Sequence, residues 1–283
     1  MLNTSIERGH TMFKPKFRLV LAGLLSLSLL TLAGCGSASA PTPAPTPAPT
    51  PAPAPAPVVK ILKVGSDITY APFEFMDENQ QPTGFDIDLI NALGADMGYQ
   101  VKLETASFDG LIPALQAGKY EAVISSMTIT DERAKSVQFS DKYFKSGQYI
   151  AMKKGANFKT LADLKGKKVG AQLNTTGQFA AEKAGIVPKK YDTTPDAIND
   201  LINGGVDAVV SDAPVVLWFQ AQNPTAQIES VDADSGVEYY GIAMKLGNTD
   251  LAGKINASLK KLIDNGKYNE IFKKWFKKDA PKF

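Results

Sequence analysis

The chain has one cysteine, Cys35, and one histidine, His10, in 283 residues. A single cysteine cannot close an intrachain disulfide, so no bridge framework holds the fold even in an oxidising compartment. Both residues fall in or beside an N-terminal segment read below as removed, which leaves the rest without imidazole or free thiol. That excludes Cys–His and Ser–His–Asp nucleophilic sites and any His- or Cys-based metal centre. No cofactor is implied. Carboxylate, lysine and tyrosine chemistry remains. Long apolar runs are also scarce: only residues 12 to 35 hold one, MFKPKFRLVLAGLLSLSLLTLAGC, and nothing else approaches membrane-spanning length.

That run has a basic start, an apolar middle and small residues before a cysteine, the anatomy of a secretory signal peptide. Leu32-Ala33-Gly34-Cys35 resembles the lipobox of bacterial lipoproteins. The resemblance implies cleavage after Gly34, a lipid on Cys35 and an extracytoplasmic protein anchored to the cell membrane. Met1 to Thr11 lacks this logic, and Met12 is an alternative start. Removing residues 1–34 takes away Arg8, Lys14, Lys16, Arg18 and Glu7 and leaves 27 basic and 28 acidic residues. The pI of about 8.4 therefore owes much to the leader, and no nucleic-acid footprint remains.

Residues 35–57 follow as a tether. Pro41 to Pro57 alternates proline with Ala or Thr, nine prolines in 17 residues, a composition that favours polyproline II and cannot pack a core. At ~3.1 Å per residue it would span roughly 50 Å.

From Val58 onward, short β-rich runs alternate with helical patterns, which predicts an α/β fold with mostly parallel sheets flanked by helices. Ile61–Val64, Val101 with Leu103, and Ala122–Ser125 read as strands. Between them lie a helix carrying Leu89, Ile90, Leu93 and Met97 and a helix over Gly110–Ala117. The pattern then restarts with a strand at Lys168–Ala171, a helix over Gln178–Ala184, a helix opening at Thr194-Pro195 and a strand at Asp207–Val210. Tyr149-Ile150-Ala151-Met152-Lys153 and Tyr240-Gly241-Ile242-Ala243-Met244-Lys245 are near copies flanking the second unit. A chain that leaves one lobe, builds another and returns needs two crossing strands there. The expected division is lobe 1 at 58–146 and 241–283 and lobe 2 at 147–240. The C-terminal helix face of Ile255, Leu259, Leu262 and Ile263 then belongs to lobe 1.

Ligands of parallel α/β sheets bind beyond the carboxyl ends of the strands. The segments there are Ser66-Asp67, Ser125–Thr130, Gln172–Thr176 and Ser211-Asp212, two from each unit, all polar and none a glycine-rich phosphate loop. Tyr70 and Phe108 lie in loops near this rim. Within SSMTITDER (125–133), Arg133 falls in the first turn of a helix, where the dipole disfavours a cation. It is either a surface residue offset by Asp131 and Glu132 or a residue kept for an anion.

Several motifs decide between these. Gly84-Phe85-Asp86-Ile87-Asp88-Leu89, Tyr70-Ala71-Pro72-Phe73-Glu74-Phe75, the SSMTITDER stretch, Val206–Pro214 and Tyr268-Asn269-Glu270-Ile271-Phe272 occur in order over residues 58–283. Together they resemble extracytoplasmic amino-acid-binding proteins of polar amino-acid ABC importers, bacterial solute-binding family 3. The resemblance implies a two-lobed type II periplasmic-binding-protein fold that closes on a free polar L-amino acid and delivers it to a permease with its ATPase subunits. It implies a monomer tied to the membrane through the lipid anchor. Arg133 would hold the ligand carboxylate, helped by backbone N–H groups near Thr128 and Thr176, and Asp212 the ammonium, with the carbonyl or hydroxyl of Ser126. Asp67, Tyr70, Phe108, Ser125 and Gln172 would surround the ligand side chain. Some glutamine-binding relatives carry lysine where Gln172 stands, and Asn174 replaces a usual glycine. Asp67 suits a ligand that ends in a hydrogen-bond donor, which glutamine and arginine both satisfy. Asp86 and Asp88 read as helix-starting acids, and Trp218 and Phe219 as packing. The alternative is a cyclohexadienyl-dehydratase-like enzyme on the same fold, against which the acidic side-chain end of the cleft argues.

Overall fold

The structure, a computed structural model, describes residues 59–281. The leader, Cys35 and the tether lie outside the described residues. Two five-stranded sheets organise the rest. In the first, Tyr99–Thr105, Lys60–Ser66 and Ala122–Val123 run parallel, and Ala243–Lys245 and then Val137–Phe139 complete it antiparallel. The second has the same plan: Lys189–Tyr191, Val169–Gln172 and Ala208–Asp212 run parallel, then Gln148–Lys153 and Ile228–Asp232 are antiparallel.

The internal echo gains a physical meaning here. Ala243–Lys245 and Gln148–Lys153 occupy the same fourth place in their sheets, each antiparallel to the third strand. The echo is therefore two equivalent sheet strands. The crossing is made just before each copy, by a separate ribbon in which Phe144–Ser146 pairs antiparallel with Glu238–Tyr240.

Each sheet is covered on both faces, as parallel strands with apolar runs require. On one side of the first sheet Leu62, Val64 and Ile124 pack with Phe73, Phe85, Leu89 and the C-terminal residues Ile255, Leu259 and Phe272. On the other, Leu111, Leu115, Val123 and Val137 form a second cluster. In the second sheet Ile150, Val169 and Val210 face Leu164, Ala181 and Ile186, while Val209 and Ala151 face Ile198 and Leu201.

Helix ends follow local chemistry. Thr193 Oγ1 accepts the Asp196 N–H, Pro195 sits in the first turn and Gly204 closes Thr194–Asn203 in the left-handed region. In the C-terminal helix Thr249–Asp264, Ile255, Leu259 and Leu262 are buried but Ile263 is 44% exposed; at eight residues from Ile255 it falls on the edge of the stripe. Trp218 packs near Phe75 and Trp275, each about 6.3 Å between ring centres. The basic tail does more than face water, since Lys274 Nζ and Trp275 Nε1 both donate to Asp88 Oδ2 at 2.7 Å.

Candidate functional site

The carboxyl ends of both parallel trios meet in one place. Asp67 follows Lys60–Ser66 directly, and Gln172 and Asp212 are the last residues of Val169–Gln172 and Ala208–Asp212. With Tyr70, Phe108, Ser125, Ser126, Thr128, Arg133 and Thr176 they line one small pocket. All ten residues read from the sequence as ligand-facing are thus brought together. Two of them are set differently from expectation. Phe108 is the first residue of helix Phe108–Gln116, and Tyr70 ends the short strand Thr69–Tyr70, so both aromatics sit on regular elements rather than loops. A rigid ring position follows for each.

Arg133 belongs to a helix of only four residues, Asp131–Ala134, capped by Thr130 Oγ1, which accepts the Arg133 N–H. So short an element has little dipole to oppose a cation. Its guanidinium lies over the Phe108 ring at 5.3 Å and donates to two carbonyls, Thr128 O and Asn174 O, at 2.8 Å each. One carbonyl comes from each half of the cleft. Among the described residues Arg133 forms no ion pair. Burial draws its pKa down, and the charges of Asp212 and Glu238 oppose that. Asn174 adopts φ 61°, a left-handed conformation that asparagine tolerates better than most residues.

Thr176 opens helix Thr176–Lys183, whose N-terminus is pressed against the second sheet. A Cβ on Gly177 would stand 2.7 Å from the Val210 carbonyl oxygen, so only glycine allows this approach, and the approach aims the first-turn N–H groups into the cleft. Among the described residues no protein acceptor lies on the N–H of Thr128 or Thr176.

Asp212 occupies the N-cap position of helix Ala213–Gln222, yet its side chain makes no capping bond. It is 5% exposed and accepts from Tyr240 OH at 2.5 Å and from Gln148 Nε2. Gln148 is its register partner on the neighbouring antiparallel strand, which puts both side chains on one face. Burial first, and then the Glu238 charge, push the Asp212 carboxyl up to about 6.

At the other end Asp67, 4% exposed, accepts from Thr69 Oγ1 at 2.9 Å and from Gln172 Nε2 at 2.7 Å. Burial raises its pKa, partly offset by those two bonds. The Gln172 amide is fully committed: Nε2 also donates to Asp192 O, and Oε1 accepts from Thr194 Oγ1.

Behind Ser125 and Ser126 lies a layer that the sequence reading missed. Ser126 has φ 48°, a conformation costly for a non-glycine residue. Asp86 Oδ2 accepts the Ser126 N–H at 2.8 Å and the Tyr143 hydroxyl at 2.6 Å. Glu74 accepts both serine hydroxyls, Ser125 Oγ at 3.2 Å and Ser126 Oγ at 3.3 Å. Glu74 and Asp86 are both wholly buried, and burial raises the pKa of each, with the Asp86 charge lifting Glu74 further. Two buried carboxyls that both reach Ser126 resist ionising together. Asp86 therefore does more than start a helix: with Glu74 it holds the bent Ser125–Ser126 loop in shape. Both residues stand in the motifs quoted above, but nothing in their spacing shows that they meet. Gln148 and Glu238, the further residues missed, carry no local signal at all.

A two-lobed α/β protein with an unpaired arginine and a buried aspartate across an enclosed cleft is built as a binding protein for a small zwitterion. The chain belongs to the bacterial extracellular solute-binding proteins, family 3, whose profile matches residues 62–278. It is 39% identical over 232 residues to an L-arginine-binding protein of Pseudomonas aeruginosa, covering 78% of this chain and 90% of that one. It is 38% identical over 202 residues to an ABC transporter glutamine-binding protein of Bacillus subtilis, covering 69% and 73%. Among solved structures, an ancestral arginine-binding protein bound to glutamine is 47% identical with a TM-score of 0.74, covering 77% of this chain and 98% of that one. An ancestral amino acid-binding protein described as a precursor of cyclohexadienyl dehydratase is 38% identical with a TM-score of 0.71, covering 76% and 95%.

Proposed function

We propose that this chain captures a free polar L-amino acid, arginine or glutamine, between its lobes and delivers it to the permease and ATPase subunits of an ABC importer. The observation that carries this reading is Arg133, a half-buried guanidinium bonded only to carbonyls and aimed into a cavity whose opposite wall holds Asp212. A ligand carboxylate supplies the missing anion in a charge-assisted pair, and a ligand ammonium meets Asp212. Thr128 and Thr176 add backbone N–H donors to the carboxylate, and Ser126 an acceptor to the ammonium. Asp67, Tyr70, Phe108, Ser125 and Gln172 enclose the side chain. The names of the relatives, arginine-binding and glutamine-binding, support the same pair of ligands.

In this reading lobe 1 comprises 58–146 and 241–283 and lobe 2 comprises 147–240, with the Phe144–Ser146 and Glu238–Tyr240 ribbon as the joint. One zwitterion bridging Arg133 and Asp212 draws the lobes together. The protein acts as a monomer held to the membrane by lipid on Cys35, outside the cytoplasm, and performs no catalysis. Calorimetry against the twenty amino acids, with small-angle scattering for closure, is the test. Preference for an acidic or aliphatic ligand, or identical scattering with and without ligand, would refute it. Turnover of prephenate would favour the enzyme instead.

A further inference from the structure

Glu238, on the joint ribbon, makes three bonds through a single oxygen. Its Oε2 accepts from Thr128 Oγ1 and Thr176 Oγ1 at 2.8 Å each and from Gln148 Nε2 at 3.1 Å. A threonine hydroxyl has one proton and two lone pairs. With both protons drawn onto Glu238, the two hydroxyl oxygens, 3.4 Å apart, present only lone pairs to anything else.

The Gln148 amide adds to the count. Its two N–H bonds face three acceptors: Asp212 Oδ1, Glu238 Oε2 and Thr176 Oγ1, the last at 3.1 Å. Acceptors therefore outnumber donors around this point, and the hydrogen bonds that Arg133 makes go to the carbonyls of Thr128 and Asn174, not to Glu238 or Asp212. Burial first, and then the Glu238 charge, raise the Asp212 carboxyl.

We propose that Glu238 is the positioning residue for the ligand's ammonium: by taking the hydroxyl protons of Thr128 and Thr176, it turns both oxygens into acceptors for that ammonium. The carboxylate is then left to Arg133 and to the backbone N–H groups of Thr128 and Thr176. This rests on the reading of the cleft as an amino-acid site. It adds that an acid on the joint, through the two threonine hydroxyls, sets the selection for the α-amine.

The test compares L-arginine and L-glutamine with their des-amino analogues, 5-guanidinopentanoic and glutaramic acids, by calorimetry on wild type, Glu238→Gln and Glu238→Asp. A glutamine side chain can donate to the threonine oxygens and reverse the hydroxyls. Glu238→Gln should therefore weaken amino-acid binding about tenfold or more while sparing the analogues, so that discrimination collapses. Glu238→Asp, which keeps the charge, should restore part of it, and thermal melts report whether each variant folds. Equal weakening of amino acids and analogues would make Glu238 a brace and overturn the proposal, as would an unchanged ratio. Wild-type protein that binds neither amino acid would remove the cleft reading and this assignment together.

Discussion

Gln172 Nε2 donates to Asp67 Oδ2 at 2.7 Å across 105 residues of chain, so two residues expected to face a ligand side chain face each other. Each comes from the carboxyl end of a strand in a different sheet. The neutral amide holds the buried carboxylate where a lysine would cancel its charge, and it leaves Asp67 able to attract a cation.

Removing that partner should change preference. In Gln172→Ala, Asp67 keeps only Thr69 and gains most from a guanidinium, so the affinity ratio of arginine to glutamine should rise by roughly tenfold, about 1.4 kcal/mol. Calorimetry with both ligands checks it, and an unmoved ratio would show that Asp67 does not reach the ligand side chain.

Arg133→Met should cost at least ~3 kcal/mol of binding, about a hundredfold or more, by deleting a charge-assisted pair in a desolvated site. The fold should survive, because Arg133 lies on a four-residue helix with no buried residue. A titration at wild-type affinity would return Arg133 to the status of a surface residue.

The Asp212 carboxyl, pushed from 3.8 to about 6 by burial and by Glu238, gives a pH dependence with a definite sign. Between those values the folded protein holds a proton that the unfolded chain has released, so stability of the empty protein falls as pH rises. An ammonium needs the ionised form, so affinity rises over the same window. Binding at pH 5 should be about tenfold weaker than at pH 7.5. Asp212→Asn should bind poorly at both values and lose the slope.

Glu74 has its pKa raised by burial and by the charges of Asp86 and Asp67. A raised carboxyl stabilises the fold below its unfolded pKa and gives that stability up as pH climbs towards the folded value. Glu74→Gln keeps the size of the side chain and carries no carboxyl proton to lose. Melting temperatures recorded from pH 5 to 8 should therefore fall less steeply in the variant than in wild type. Parallel curves would mean that the Glu74 carboxyl holds no proton in the folded protein.

Cys35→Ser should move the protein from the membrane fraction to the soluble one, since a proline–alanine tether has no membrane affinity of its own. Continued membrane association after fractionation would refute the lipid anchor.

Much of this was legible in the chain itself. Apolar alternation, glycine stops and the Thr194-Pro195 start are local, and they place most elements within a few residues. The polar ends of the four strands lie next to their strands in sequence, so Asp67, Ser125, Ser126, Gln172 and Asp212 announce the cleft without a third dimension. Arg133 was conspicuous because it broke a local rule. Only the tertiary structure decided what surrounds these groups. That Gln172 is spent on Asp67, that Asp86 and Glu74 hold the Ser126 bend, and that Glu238 collects two threonine protons are facts about residues 40 to 110 positions apart. Propensity and periodicity act over a few residues, whereas hydrogen-bond partners at a sheet end are chosen by which strands lie side by side. The sequence determined where polar groups had to gather; the packing of two sheets decided which proton each of them receives.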